Sequence, residues 1–370
     1  MYKMMTPGPT MVAENVRIAR SVETGNPDID PDFFDFYRET CELYSELLHT
    51  KNESLILSGE GILGLEAAVA SLTEIGDRVL VLDNGVFGKG FADFVSMYGG
   101  EPVLYTTDYR YEIEIEPLRE YLEKEHDFKY ATIVHCDTPS GMLNDISKIC
   151  PLLKEYGILT VVDSVSGMFG NPVDVDEYKI DILCGGSQKA ISCPIGLTLV
   201  TISEDAKKMM ENRKTKIPSF YANLTIFNNY YENKWFPYSM PISDIYGLRK
   251  ALDNIKDDKD ILKRHQEVAA KTRNALTASG LHLYGENGYS NTVTVFKIPE
   301  GIMAADIITH MRDDHQILIA GSFDVMEGEV IRLGHMGYNC TDDNMKETLS
   351  ALNDVLTKLG VELTKTLSYE

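Results

Sequence analysis

Asp181-Ile182-Leu183-Cys184-Gly185-Gly186-Ser187-Gln188-Lys189-Ala190 is a short apolar run that stops at two glycines, a serine and a lysine. Such a run, closed by glycines, reads as a buried strand followed by a turn. A lysine in that turn is an odd place for a solvated charge. An amine loses its proton readily once partly desolvated, so Lys189 is a candidate Schiff-base nucleophile. A surface lysine on a strand-to-helix loop is the plainer reading of that residue taken alone. The rest of the chain has to decide.

Outward from this stretch the pattern alternates. Apolar runs stand at 54–57, 78–82, 102–106, 130–136, 158–163, 180–184 and 195–201, with periodic helical stretches near 62–73, 86–98, 115–125 and 144–156 between them. Apolar strands alternating with amphipathic helices predict an α/β unit built on a mainly parallel seven-stranded sheet. Ahead of it, Thr6-Pro7-Gly8-Pro9-Thr10 is stiff and extended, a short helix covers 12–21, and Asp30 with Pro31 opens a helix to about His49. Beyond it, Ser243-Asp244 is expected to cap a long helical region reaching Ala278, broken or merely charged at 256–259 and stopped by Gly280. A strand (292–298), a helix (303–313), strands near 316–320 and 328–333, and a helix (342–359) complete a smaller α+β unit. The expected organisation is an N-terminal arm (1–12), a large domain (13–245) and a small C-terminal domain (246–370).

Composition narrows the function. With 370 residues the chain exceeds the size at which single cores stop growing, about 250–300 residues. The net charge of −22 and the lack of any basic block argue against nucleic acid or an anionic membrane as partner. No run approaches a membrane span, and the N-terminus lacks an apolar signal core. Six scattered cysteines without CxxC spacing read as reduced core thiols of a cytoplasmic protein.

Ligands of open α/β sheets bind in the loops at the carboxyl ends of strands, and those loops form a set. Ser58-Gly59-Glu60-Gly61-Ile62 offers backbone N–H groups at a helix N-terminus, suited to an anion or simply to tight packing. It is neither a Walker loop nor GxGxxG. Asp83-Asn84-Gly85-Val86-Phe87-Gly88 places an aromatic at a helix start, either a ring platform or core. His135-Cys136-Asp137-Thr138-Pro139-Ser140-Gly141 is a polar cluster in which His135 is a base or a hydrogen-bonded structural residue; no metal-ligand spacing involves it. Asp163 ends an apolar strand, where a carboxylate needs a partner: a turn to cap, or a protonated heterocyclic nitrogen. It lies 26 residues before Lys189, one step along the sheet. Arg332, inside the apolar strand Val330-Ile331-Arg332-Leu333, must find an anion, from a structural acid or from a carboxylate ligand. Taken together the loops ask for a ligand with a phosphate, a flat ring, a basic ring nitrogen and an aldehyde. Pyridoxal 5′-phosphate has all four.

The sequence resembles the class V aminotransferases of fold type I, in particular alanine/serine–glyoxylate or –pyruvate aminotransferases. The resemblance runs through TPGPT (6–10), SGEGILGLEAAV (58–69), DNGVFGKG (83–90), HCDTPSGMLN (135–144), VVDSVSG (161–167), GGSQKA (185–190), PYSMPISDIYGLRKAL (237–252) and VIRLGHMG (330–337). It implies that Lys189 forms the aldimine with the cofactor and that Asp163 pairs with the pyridine nitrogen. Phe87 stacks on the ring, and Thr138 lies near it. Gly61, Ile62 and Gln188 hold the phosphate. Ser239 reaches the phosphate of a neighbouring subunit, which implies a homodimer, and Arg332 binds the substrate carboxylate. The implied activity is ping-pong transamination from a small amino acid to glyoxylate or pyruvate.

Three departures stand out. Ile62 has no side-chain polar group where relatives can have histidine or a hydroxyl, Phe236 stands where some relatives place a phosphate-binding tyrosine, and Glu23-Thr24-Gly25-Asn26-Pro27 is unlike the usual His-Arg-containing N-terminal loop near the substrate. Ser140-Gly141-Met142-Leu143-Asn144 is similar to 2-aminoethylphosphonate–pyruvate aminotransferases, the alternative reading. A cysteine desulfurase or related lyase shares the scaffold, but those enzymes usually carry histidine before the lysine, where this chain has Gln188, and Cys340 is poorly placed for a mobile-loop thiol.

Overall fold

The computed structural model describes residues 2–369; Met1 of the expected arm and Glu370 of the expected small domain lie outside the described residues. The first strand, β1 (Lys3–Met4), belongs to the arm. Seven strands then build the main sheet: β2 (Glu53–Ser58), β3 (Arg78–Asp83), β4 (Glu101–Thr106), β5 (Tyr130–Val134), β8 (Leu159–Asp163), β9 (Ile182–Gly186) and β10 (Leu197–Ile202). A small hairpin, β6 (Cys136–Asp137) with β7 (Met142–Leu143), follows β5, and β11 (Val293–Lys297), β12 (Ile317–Leu318) and β13 (Val330–Gly334) belong to the C-terminal part.

The sheet order is β2-β10-β9-β8-β5-β3-β4. All pairings are parallel except those of β10, antiparallel to both neighbours. The mainly parallel seven-stranded α/β reading therefore holds. Strands β5, β8, β9 and β10 are buried along nearly their whole length, whereas β4 alternates and forms an edge. After β3 the chain moves outward to β4, then returns to β5 on the other side of β3. That reversal opens a crevice at the carboxyl ends of β3 and β5, where ligands of such sheets bind.

Local signals explain most boundaries. Asp30 accepts the Asp32 N–H at 3.0 Å and Pro31 occupies the first turn of the helix Pro31–Leu47, a cap worth about 1 kcal/mol. Thr341 caps the last helix, Asp342–Lys358, through the Asn344 N–H. Ser243 and Asp244, expected to cap, sit instead inside the helix Ile242–Asp257, and the Asp244 carboxylate is taken by Arg20. The break falls at 258–260, after which the helix Ile261–Ala278 runs to Ser279 and Gly280 (φ +89°). One helix, Glu204–Glu211, has no counterpart in the sequence reading; Ser203 caps it.

Two main cores follow from this. The large one includes Ile245, Leu248, Ala251, Leu252 and Ile255, so position 245, the expected boundary, falls inside a helix whose buried face serves the large core. The second gathers Val268, Leu276, Phe296, Ile331, Leu333 and the helix Asp342–Lys358, and it also takes in Met5 of the arm. The arm is held there because β1 pairs with β12. Among the described residues, no helix is long and apolar enough to cross a membrane.

Candidate active site

Asp163 ends β8 and Lys189 lies in the turn after β9; these strands are parallel neighbours, with Asp163 level with Cys184. Both side chains therefore emerge on the carboxyl side of the sheet. Asp181, at the start of the same stretch, is structural: it is buried, pairs with Lys154 at 2.9 Å and accepts from Ser203 Oγ and the Thr160 N–H.

Asp163 is 7% exposed, and its carboxylate accepts a hydrogen bond from the Val165 N–H at 2.9 Å. Burial pushes its carboxyl up to about 7, a rise that this N–H and Lys189 only partly oppose. A carboxylate so placed favours a cationic partner. Lys189 is half-buried and, again chiefly through burial, has its ammonium below the usual lysine range. Its Nζ donates to the Pro7 carbonyl, and a Cβ at Gly8 (φ +104°) would stand 2.4 Å from Lys189 Cδ. The arm thus covers the lysine, further pinned by Thr10, whose Oγ1 donates to the Lys189 carbonyl at 3.0 Å.

Across the crevice, Phe87 opens the helix Val86–Met97, its N–H donating to Asp137 Oδ1 at 3.0 Å and its ring meeting Phe323 edge-on at 5.9 Å. Asp137 is fully buried, and its other oxygen accepts from Ser140 Oγ at 2.7 Å. Thr138, next in sequence, is buried. Arg332, in β13, is 9% exposed, donates through Nε to the Gly321 carbonyl, and sets its guanidinium 5.4 Å from the Phe323 ring centre. Burial lowers it to about 10, against the pull of Asp137. Among the described residues its hydrogen bonds go to backbone carbonyl and amide groups of 320–321, so the structural-acid alternative finds no carboxylate bonded to it.

At the phosphate end the expected residues come together but are paired with the chain's own Glu60. Gly61 and Ile62 begin the helix Gly61–Leu72, and Gln188 adjoins, but the Glu60 carboxylate accepts both the Ile62 N–H at 2.9 Å and Gln188 Nε2. The Ile62 side chain is exposed. Ser239 is exposed and donates to Asp28 at 2.7 Å, within the turn around 24–28. Phe236 is core, stacked on Phe34 at 4.5 Å. His135 is buried, bonded to Ser164 Oγ, and lowered by burial to about 4, a neutral structural residue. All six cysteines are buried and free, and burial pushes Cys340 up to about 12. Among the described residues no three His, Cys, Asp or Glu gather to hold a metal. A solvent-open hollow of about 670 Å³ beside Arg38, Ser45 and Tyr230 contains none of the site residues.

The ring-binding half of pyridoxal 5′-phosphate therefore fits: a buried acid without a hydrogen-bonded cation, a desolvated amine and an aromatic face stand together. Its phosphate does not fit the Glu60-filled cup. Sequence reasoning quoted Glu60, Asp137 and Gly8 without assigning them roles, because each acts through a partner far along the chain.

A fold with ligand loops at a topological reversal, and an acid–lysine pair beneath them, defines an enzyme of amino-group chemistry. Residues 16–343 match the family described as Aminotransferase class-V, and the chain belongs to it. It is 33% identical over 364 residues to an uncharacterised aminotransferase of Methanocaldococcus jannaschii, covering 97% of this chain and 94% of the other. Identity is 30% to a pyridoxamine–pyruvate transaminase of Mesorhizobium japonicum, over 91% of this chain and 87% of that one. The structure of ureidoglycine–glyoxylate aminotransferase from Bacillus subtilis superposes with a TM-score of 0.95 at 28% identity, over 99% and 96% of the two chains. The architecture is that of fold type I.

Proposed function

We infer that this aminotransferase moves an amino group from a small donor, such as alanine or serine, to glyoxylate or pyruvate in two half-reactions. The observation that carries this reading is the adjacency of Asp163 and Lys189 at the ends of β8 and β9. A pyridoxal-type cofactor, held there by Asp163 and Lys189, would supply an electron sink when the substrate α-proton leaves. Asp163 holds a proton on the ring nitrogen, and its burial strengthens that grip. Lys189 would take up and return the proton at the substrate α-carbon; desolvation brings its Nζ closer to the range useful for a base at neutral pH. Phe87 would offer its face as a platform for the ring. Arg332 orients the substrate carboxylate, aided by the wall that Phe323 gives it. The Pro7 carbonyl holds Nζ until substrate arrives, and the arm keeps bulk water away.

Relatives that act on glyoxylate and pyruvate support the acceptor class. The buried thiols support a reducing, cytoplasmic setting, and a homodimer agrees with the exposed aromatics Phe220, Tyr221 and Trp235. A screen of donors against acceptors, read by absorbance of the B6 ring, tests this function. Alanine or serine with glyoxylate or pyruvate should be turned over fastest, with no sulfide from cysteine. Faster turnover of 2-aminoethylphosphonate would replace the donor, and sustained sulfide release would contradict the reaction class.

A further inference from the structure

A helix N-terminus with free N–H groups at the end of a strand is the ordinary seat for a phosphate. At the start of the helix Gly61–Leu72 that seat is filled by the chain itself. Glu60 Oε2 accepts the Ile62 N–H at 2.9 Å, and Glu60 Oε1 accepts Gln188 Nε2. Gln188 is 3% exposed and its Oε1 is buried without a partner. Turning that amide over would set oxygen against carboxylate, so the amide is committed to Glu60. The contact is not peripheral. Gly61 abuts Val165, which follows Asp163, since a Cβ there would lie 2.9 Å from Val165 Cγ2. The charge of Glu60 is felt at both Asp163 and Lys189.

A phosphate dianion brought here meets a like charge that already holds two of the donors it needs. A hydroxymethyl group meets an acceptor. We propose that Glu60 selects a B6 ring whose 5′ arm ends in a hydroxyl, and that pyridoxamine and pyridoxal pass through this site as substrate and product. The proposal rests on the reading of Asp163 and Lys189 as the ring seat. The 5′ hydroxyl donates to Glu60, and no charge-assisted phosphate bonds retain the ring, so it exchanges with solvent.

The chemistry balances without an outside oxidant. The amine of pyridoxamine condenses with the carbonyl of a 2-oxo acid held by Arg332, releasing one water. Lys189 takes a proton from C4′ and returns one to the α-carbon; the electron pair of the C4′–H bond ends in the new Cα–H bond. Hydrolysis at C4′ consumes one water and releases pyridoxal and the amino acid. C4′ is oxidised by two electrons and the α-carbon is reduced by two.

The test is equilibrium titration of the wild-type chain, Glu60→Gln and Glu60→Ser with pyridoxal and with pyridoxal 5′-phosphate, followed by the absorbance of the bound ring. Wild type should bind pyridoxal at least tenfold more tightly than the phosphorylated form, and both variants should shift that ratio toward the phosphate at least tenfold. Tighter binding of the phosphorylated form by wild type, with Glu60 swung aside, overturns the proposal and leaves the ring seat intact. No bound chromophore with either compound overturns both.

Discussion

Asp163 illustrates how one residue couples function to stability. Its carboxyl is raised from the ordinary 3.8 to about 7 in the folded chain, first by burial. A raised acid costs nothing below the unfolded value. Its cost grows as pH climbs from about 4 to about 7 and is complete above that range. At about 1.4 kcal/mol per pH unit separating the two values, the ceiling is about 4 kcal/mol. Asp163→Asn without ring should therefore match wild type at pH 4 and exceed it by up to a few kcal/mol at pH 8, measured by denaturant unfolding. Equal stability at both pH values would contradict the buried, unpaired state. Arg332 gives a second prediction. Arg332→Ala removes charge-assisted bonds worth about 1.5–3 kcal/mol, so kcat/KM for carboxylate substrates should fall about 10–150-fold; an unchanged value would remove the assigned role. The acid, the lysine and the arginine were legible because a charge inside an apolar run is conspicuous. Glu60 was not, because its partner Gln188 lies 128 positions away and no local pattern joins them.

At the scale of elements, the strands of the main sheet and their helices were readable since buried parallel strands leave apolar runs punctuated by glycine. The helix Glu204–Glu211 was not: five of its eight residues are charged, three are apolar, and only Ser203 marks its start. Ser243-Asp244 misled for the opposite reason, offering cap chemistry where Arg20 claims the carboxylate from another helix. The arm was read as stiff, but its task appears only in three dimensions. Pairing of β1 with β12 and burial of Met5 tie it to the small core, so that Pro7 and Gly8 lie over Lys189. Gly8→Ala collides with the lysine and also strains a backbone at φ +104°. It should lower kcat at least tenfold while shifting Tm by only a few degrees, since the cores are untouched. A variant with wild-type kcat would show that the arm does not govern the lysine.

For the whole molecule, the exposed aromatics matter. Phe220, Tyr221 and Trp235 are each more than half exposed, and Tyr221 stacks on Tyr238 at 4.5 Å. Phe220 meets Tyr221 at 6.1 Å, so these two rings form an exposed apolar pair that suits a second copy of the chain. Trp235 is the only tryptophan and is itself exposed, so its emission reports its own surroundings without interference. Sedimentation should give a dimer, with Trp235 emission shifting to the red on dilution; Phe220→Asp should favour the monomer and weaken ring binding. A wild-type monomer that binds the ring fully would contradict this.

The central claim is that a B6 aldehyde condenses with the amine of Lys189. Loading the protein with pyridoxal or its phosphate, reducing it with borohydride, and mapping the digest by mass tests that claim directly. The account predicts one ring-tagged peptide, carrying the label at Lys189. A digest in which that peptide stays unmodified after loading with either compound would contradict it.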